Sequence, residues 1–197
     1  MSMGDPKKQR KKYETPRNRW SQDRLEEELK LLGQYGLRNK HELWHQKTEL
    51  SKFRGIARSL ISKTPEEREK MENEILLRLK KMGVLDQTAV LDDVLDLTIE
   101  DLLERRLQTI VFRKGLTRSV FQSRQLITHG HVTIADRRIT IPGYIVPKEK
   151  EEQITYTPHS TIANEEHPLR QSLSFVAKEI EIRPPPRGRR GRRKRRR

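Results

Sequence analysis

Positive charge in this chain is gathered into three zones, and these zones restrict where a folded core can form. Residues 1–24, 105–138 and 183–197 carry a marked excess of Lys and Arg, whereas residues 25–104 and 139–182 carry a small excess of acids. The first twenty and the last fifteen residues offer very few apolar side chains. Because neither end can bury enough surface to fold alone, we expect a basic extended arm over residues 1–20, a disordered Arg-rich tail over residues 183–197, and a core between them.

The charge balance predicts a polyanionic partner. The formal net charge is +15 over 197 residues, with 36% charged and 32% hydrophobic residues, and such a surface repels itself until an anion neutralises it. The absence of cysteine excludes disulfides and thiolate zinc sites. No run approaches the roughly 18 apolar residues of a membrane span, and the N-terminus lacks the apolar core of a secretory signal. We expect a nucleic-acid partner, a chain that stays in the cytoplasm, no membrane contact, and no metal or cofactor.

Apolar periodicity predicts an α-helical domain over residues 21–97. Ser21 begins a first helix that should end at Gly33, a second helix covers residues 39–61, and a third begins at Thr64 and ends at Gly83. Thr64 is followed by proline and, three residues on, by glutamate, as in a capping box. The apolar stripes expected to form the core are Leu25, Leu29 and Leu32; Leu43, Leu50, Ala57 and Ile61, flanked by Phe53 and Leu60; and Met71, Ile75, Leu79 and Met82.

Residues 98–157 are predicted to form a separate small α/β module. One helix should run from Thr98 to Gly115, and a second should begin at Ser119, which has capping-box spacing to Gln122, and end at Gly130. Alternating apolar residues over 132–145 then predict short strands. The expected fold class is α+β: a small all-α domain, and a module of two helices on a short twisted sheet. Residues 158–182 form an extension of ambiguous structure, with one strand possible over 174–182.

The predicted module places cations on a rigid frame. Its apolar stripes face inward, so the basic side chains should remain outside, where they lose little entropy on binding phosphates while counterions are released. A solvated charged face is the alternative, but such a face ordinarily mixes signs, and residues 105–135 contain no acid. Glutamine and histidine add groups for riboses or bases. The residues expected on this face are Arg106, Arg113, Lys114, Arg118, Gln122, Arg124, Gln125, His129, His131, Arg137 and Arg138.

Outside this face, two motifs have competing interpretations. His41 and His45 fall in an HExxH pattern, but a zinc site needs a third ligand in a cleft, so a solvated helix face is favoured. Trp44 is expected to pack on another helix, and stacking on an exposed base is the alternative. Other residues assigned to nucleic-acid contact lie in the arm and the first connector: Lys7, Lys8, Arg10, Lys11, Lys12, Arg17, Arg19, Tyr35, Arg38 and Lys40.

Three stretches resemble a known family. ERRLQTIVFRKGLTRSVFQSRQLITHGHVTI, with RRITIPGYIV, resembles the S-four RNA-binding module. LEEELKLLGQYGLRNKHELW and LDDVLDLTIEDLLERRLQT resemble the archaeal and eukaryotic form of the small-subunit ribosomal protein S-four family. The resemblance covers residues 6–147, and its flanks distinguish this family from enzymes that carry the same module.

The resemblance implies a structural protein of the small ribosomal subunit and not an enzyme. It implies a primary binder of small-subunit ribosomal RNA at a multi-helix junction in the 5′ domain, which nucleates assembly and lies near the mRNA entry channel beside other small-subunit proteins. It adds Ser119 to the RNA-contacting residues. The alternatives are an RNA-binding factor acting outside the ribosome, such as a rescue factor for stalled large subunits, or an RNA-modifying enzyme or its accessory.

The sequence departs from the family pattern at two places. Many modules have Asn-Gly at the hairpin tip, where both residues adopt positive φ; this chain has Ala135 and Asp136, which predicts a longer or different turn. Bacterial members often carry N-terminal cysteines that bind zinc or an iron–sulfur cluster, and their absence here predicts no such site.

Overall fold

Seven helices and a small sheet make up the part of the chain that the structure, a computed structural model, describes, residues 10–171. The fold is α+β, which confirms the expected class. Among the described helices, none combines the length and apolarity needed to span a bilayer. The elements are α1 Gln22–Tyr35, α2 Lys40–Ile61, α3 Pro65–Met82, α4 Leu91–Asp96, α5 Ile99–Glu104, α6 Leu107–Arg113, α7 Val120–Thr128, β1 Val132–Ile134, β2 Arg137–Arg138 and β3 Ile154–Tyr156, with 3-10 turns at Lys148–Lys150 and Thr161–Ala163.

The first helix runs further than predicted. Gly33 lies inside α1, and the helix ends at Gly36, whose φ of 58° is left-handed. A Cβ at Gly36 would lie 2.9 Å from Gln108 Nε2 and from Val120 Cγ1. Gly36 therefore ends the helix because the chain must turn there and because the side chains of Gln108 and Val120 lie too close for a Cβ.

The helical core follows the predicted stripes with three exceptions. Leu50, Ala57 and Leu79 are buried as expected, but Leu29, Ile61 and Met71 are exposed. Leu60 takes the inward place expected of Ile61, since residues three and four positions after Ala57 flank the same stripe and packing selects one of them. The buried core of this part comprises Leu50, Phe53, Ala57, Leu60, Leu76, Leu79, Leu85, Leu91, Val94, Leu97 and Leu102.

Buried charge explains why Leu29 faces solvent. Glu28, not Leu29, occupies the inward position of α1 and is only 4% exposed. Its carboxylate lies 3.3 Å from Arg24 Nε and 3.3 Å from Lys40 Nζ, and it accepts a hydrogen bond from Trp44 Nε1 at 3.0 Å. Trp44 therefore joins α1 to α2, as the packing prediction required.

The prediction of a single helix from Thr98 to Gly115 is wrong, because the helix is interrupted at Arg106. This residue is extended (φ −72°, ψ 140°) and forms the N-cap of α6. The loop after the hairpin occupies the break, since Leu107 N donates to Tyr144 O at 2.8 Å and Arg106 forms a β-bridge with Ile145. The 142–145 loop thus supplies acceptors that a continuous helix would have supplied itself.

The sheet corrects the hairpin prediction. Strands β2, β1 and β3 lie side by side in that order, both pairs antiparallel. Ile134 pairs with Arg137, so only two residues form the turn, and Ala135 (φ 46°) and Asp136 (φ 64°) are both left-handed. This is the φ pattern of a type I′ turn, and the expectation of a longer or different turn is wrong.

The strands differ from the prediction in two further ways. The isoleucines at 139, 141 and 145 belong to no strand, because that segment runs to the N-terminus of α6 instead of extending the hairpin. The third strand comes from β3, which the alternation did not indicate; Ile154 pairs with Ile134 and Tyr156 with Val132.

The second core lies under this sheet and includes part of the extension. It comprises Leu107, Ile110, Val111, Leu126, Ile127, Val132, Ile134, Val146, Ile154 and Ile162. Ile162 shows that the extension packs onto the sheet as far as it is described, and the strand predicted over 174–182 lies outside the described residues. A third cluster of Tyr35, Leu37, Leu43 and Leu103 joins α1, α2 and α5.

Candidate nucleic-acid interface

The end of α6 and the turn that follows it carry three exposed cations. Arg113, Lys114 and Arg118 are exposed, as predicted. Arg113 forms an ion pair with Glu104 at its edge, with 61% of the Arg113 side chain accessible. Such an exposed pair contributes little stability, so the guanidinium is available to exchange its partner for a phosphate.

Side chains on the inner side of the same turn hold it in place. Thr117 Oγ1 and Ser123 Oγ hydrogen-bond at 2.5 Å in a buried environment, and the Tyr156 hydroxyl donates to Leu116 O. The turn is therefore tied to α7 below it and to β3 beside it. Cations on such a frame lose less conformational entropy on binding than cations on a mobile loop.

The N-terminus of α7 uses two predicted site residues for capping. Ser119 Oγ accepts from Gln122 N at 3.2 Å, and Gln122 Oε1 accepts from Arg118 N at 2.8 Å. The predicted pairing of Ser119 and Gln122 is confirmed, although the glutamine bonds one residue before the N-cap. The Gln122 side chain also fixes the backbone at Arg118, so Ser119 and Gln122 together position the Arg118 side chain.

A second group of exposed polar and basic side chains lies where α7 ends and the sheet begins. Gln125 and His129 are exposed near the end of α7, and Arg138 is exposed on β2 beside Arg137. Gly130, with φ 78°, lies directly under Arg138, and a Cβ there would come 2.6 Å from Arg138 Nε. The glycine lets the guanidinium lie flat against the backbone that ends α7.

His131 lies behind this group and has a structural partner. Its ring is 6.1 Å from that of His129, and its Nδ1 is 2.8 Å from Ser160 Oγ. Ser160 also caps the 3-10 turn that carries Ile162. His131 therefore fastens the described part of the extension to the sheet.

Arg106 does not lie on the outer face, so its predicted placement there is wrong. It is 3% exposed, because the helix break turns its side chain inward, where Nη2 lies 2.6 Å from Glu42 Oε2. Arg124 shares the same carboxylate at 2.7 Å and is half-buried. Burial raises the pKa of Glu42, but the hydrogen bond from Arg124 and the charges of both arginines outweigh burial and lower that pKa.

Tyr35 is likewise part of the core and not of an RNA-facing connector. It is 3% exposed, and its hydroxyl donates to Glu104 at 3.1 Å. Burial, reinforced by that carboxylate, raises the pKa of Tyr35 to about 12. Of its predicted neighbours, Arg38 is exposed, whereas Lys40 is committed to Glu28.

The N-terminal arm is anchored by an aromatic residue that the charge pattern concealed. The Tyr13 ring stacks on His41 at 4.9 Å and 19°, and Glu14 N donates to Thr48 Oγ1 at 3.0 Å. In the sequence, a single tyrosine in a lysine-rich segment is the feature that could have indicated this anchor. The exposed cations that flank this anchor are Arg10, Lys11, Lys12, Arg17 and Arg19; the predicted contacts Lys7 and Lys8 lie outside the described residues.

The HExxH pattern does not assemble a metal centre in the described part of the chain. His41 is engaged by Tyr13, His45 Nδ1 lies 4.0 Å from Glu49 Oε2, and Glu42 is occupied by its two arginines. Within residues 10–171, no three His, Asp or Glu side chains converge as metal ligands would.

Comparison with known proteins gives consistent results. Residues 105–152 match the family model described as S4 domain. A curated relative named small ribosomal subunit protein uS4, from Hyperthermus butylicus, is 55% identical over 161 residues, 82% of this chain and 92% of the relative. Relatives of the same name from Ignicoccus hospitalis and Thermoplasma volcanium are 53% and 48% identical, covering 80% and 90% of this chain and 95% and 90% of their own lengths.

Proposed function

The chain belongs to the uS4 family of small-subunit ribosomal proteins, and from this premise we propose that it binds a multi-helix junction in the 5′ domain of small-subunit ribosomal RNA and nucleates assembly there. As a family member it is a cytoplasmic structural constituent of the small ribosomal subunit and not an enzyme. Its coarse role, binding ribosomal RNA and neighbouring ribosomal proteins, follows from membership. The junction and the assembly step are the finer part of the proposal.

One observation carries the proposal. The module holds cations on a rigid frame, and the carboxylates of Glu42 and Glu104 that approach this frame are neutralised by ion pairs. Between Arg105 and Ala135 the chain has no acid, and the carboxylates of Glu42 and Glu104 that approach this segment are paired with its arginines. Among the described residues 105–138 of the module, the exposed cations without an acidic partner are therefore Lys114 and Arg118 after α6, and Arg137 and Arg138 on β2. Two fixed groups of cations suit two RNA backbones that meet at an angle better than one smooth duplex.

The arm and the tail extend this contact. The arm carries five exposed cations on the two sides of Tyr13, and residues 183–197 add ten basic side chains and no acid. Such segments bind phosphates without sequence preference. We propose that they run along neighbouring RNA, and that the exposed helical surface outside the module meets other small-subunit proteins and the mRNA path. Residues 21–97 and 98–157 act in this proposal as two domains flanking the junction.

Binding to a defined transcript tests the proposal. The full-length chain and a transcript of the archaeal small-subunit 5′ domain should form a complex at moderate salt, which a random RNA of equal length forms much more weakly. Arg118→Ala should weaken the complex on the order of tenfold, the effect of losing one charge-assisted hydrogen bond. Filter binding measures both affinities.

The matched control removes the same charge elsewhere. Arg58 is exposed on α2 outside the module, so Arg58→Ala should leave the affinity within about twofold of the wild type. Equal affinity for the transcript and random RNA, or equal loss in both variants, would show that binding is unspecific attraction and would overturn the proposal.

A further inference from the structure

A cleft outside the α6–α7 face has the lining of a nucleobase site. It lies between the N-terminal arm, α2 and the 141–143 loop, with a volume of about 510 Å³. We infer that this cleft receives a single unstacked base of the bound RNA, adenine being the best fit. The inference rests on the proposed function, since that function supplies the RNA. The residues that carry it are Tyr13, His41, Glu42, Gln46, Arg124 and Ile141.

Aromatic rings supply a stacking wall. Tyr13 and His41 lie nearly parallel, and the Trp44 ring is 5.5 Å from His41 and 6.0 Å from Tyr13. Thr48 fixes the assembly, because it accepts from Glu14 N and donates to Trp44 O at 2.7 Å. Across the cleft Ile141 keeps 63% of its surface exposed. A planar apolar ligand would bury the exposed faces of both sides, and bases stack on such rings whatever their identity.

Gln46 points to a ligand independently of the rings. The residue lines the cleft and is 4% exposed, yet its Oε1 is buried without a hydrogen-bond partner in the described part of the chain. A buried amide left unpaired is costly. An amide pairs with adenine N6 and N7 through one acceptor and one donor, and rotation of the amide exchanges their positions.

The charges in the cleft favour a base over a phosphate. The Glu42 carboxylate lines it, with Arg106 and Arg124 already bound to that carboxylate. A phosphate would therefore have to compete with the Glu42 carboxylate for the two guanidiniums, whereas a neutral base leaves both ion pairs intact. Outside the cleft, the arm carries exposed cations on both sides of Tyr13, including Lys12 and Arg17. A neutral planar group in the cleft, with a phosphate backbone near these exposed cations, matches a nucleotide and not an acidic peptide.

The test uses the full-length chain and the transcribed archaeal 5′-domain RNA. Gln46→Leu should weaken binding about tenfold, as losing a bidentate base contact does, while its thermal midpoint stays equal or rises because the unpaired amide is gone. Tyr13→Leu should weaken binding by about the same factor through lost stacking. Gln34→Leu makes the same change at an exposed glutamine and should bind like the wild type. Ultraviolet crosslinking of the wild-type complex should join the peptide holding Tyr13 or His41 to one nucleotide.

The outcomes separate this inference from the proposed function. Weaker binding by Gln46→Leu with an unchanged or raised thermal midpoint, together with a single crosslinked nucleotide, supports the base site. Wild-type affinity in Gln46→Leu and Tyr13→Leu, while Arg118→Ala still weakens binding, overturns the base site and leaves the proposed function standing. A crosslink from these peptides to a neighbouring ribosomal protein instead of RNA also overturns it. Failure of the wild-type chain to prefer the transcript overturns both.

Discussion

Glu42 is the residue that connects the helical part of the molecule to the module. It sits on the first turn of α2, accepts from Arg106 at the N-cap of α6 and from Arg124 on α7, and is separated from them by 64 and 82 residues of sequence. Arg106 Nε has no partner in the described residues, so this buried guanidinium depends on Glu42 for its neutralisation. A buried charge that loses its counterion is among the most destabilising changes known.

We predict that Glu42→Gln lowers the free energy of unfolding by about 3 kcal/mol, because Arg106 is left buried without a counterion. Urea denaturation followed by circular dichroism measures the change. Glu72→Gln is the matched control: that carboxylate pairs with Arg68 one turn away on α3, with the arginine side chain 42% exposed, so its loss should cost less than about 0.5 kcal/mol. Equal effects of the two substitutions would contradict the role given to Glu42.

The same pair predicts a pH dependence. Because the pKa of Glu42 is lowered in the folded protein from its ordinary 4.5, its contribution is fully present above 4.5 and is lost as the pH falls through the lowered value. The stability difference between the wild type and Glu42→Gln should therefore shrink as the pH is lowered below about 4.5. Urea titrations at several acidic pH values measure it, and a constant difference would contradict the assigned pairing.

The sequence could not reveal this use of Arg106. Its position in a helical pattern, three and seven residues before other polar residues, predicted an outward stripe, and that spacing assumes an unbroken helix. The break comes from a loop about 40 residues later, which no local pattern indicates. The exposure of Arg113, Lys114 and Arg118 was predicted correctly, because these residues lie at the end of α6 and in the turn that follows it; their contact with RNA stays a prediction.

At the scale of elements, the β1–β2 hairpin holds a strained turn. Ala135 adopts φ 46° and Asp136 φ 64°, conformations that cost a residue with a Cβ roughly 1 kcal/mol each and that Asn and Gly adopt more readily. The short strands tolerate this cost because β1 is also paired with β3 on its other side. The local propensities of Ala and Asp disfavour this turn, and the pairing of β1 with both β2 and β3 imposes it.

We predict that the double substitution Ala135→Asn and Asp136→Gly raises the free energy of unfolding by about 1 kcal/mol, since both residues then suit left-handed φ. Thermal denaturation measures the gain. Ala135→Val should act in the opposite direction, because a β-branched side chain is poorly accommodated at positive φ. Destabilisation by the Asn-Gly pair would show that this turn is not of the type I′ form.

Helix boundaries divide into those fixed locally and those fixed by neighbours. Asn39 caps α2 by accepting from Glu42 N at 3.2 Å, and Gly83 ends α3; both ends were predicted from the residues themselves. α1 passes Gly33 and stops at Gly36, where the backbone meets Gln108 and Val120. The end of α1 depends on residues far away in the sequence. The apolar periodicity and the glycine at position 33 therefore predicted the wrong end.

Across the whole molecule, two apolar cores are held in one orientation by the cluster around Tyr35 and by the Glu42 pairs. The exposed cations of the module therefore keep a fixed geometry relative to the helical part of the molecule. We therefore attribute discrimination among RNA shapes to the folded part of the molecule, because a fixed arrangement of cations can fit one junction better than another. The Arg-rich segment at the C-terminus has no apolar side chain and no acid, so its contribution should be electrostatic and independent of RNA sequence.

We predict that deleting residues 184–197 weakens binding to the 5′-domain transcript and to random RNA by the same factor, while the preference between them is kept. The deletion removes nine cations, and each lost phosphate contact lowers the slope of log affinity against log salt by about 0.7–0.9, so the slope should fall by several units. Filter binding across a salt series measures both quantities. Arg118→Ala provides the contrast, since it should change the slope by about one unit and reduce the preference. A deletion that abolished the preference while Arg118→Ala preserved it would place selection in the tail and not in the folded frame.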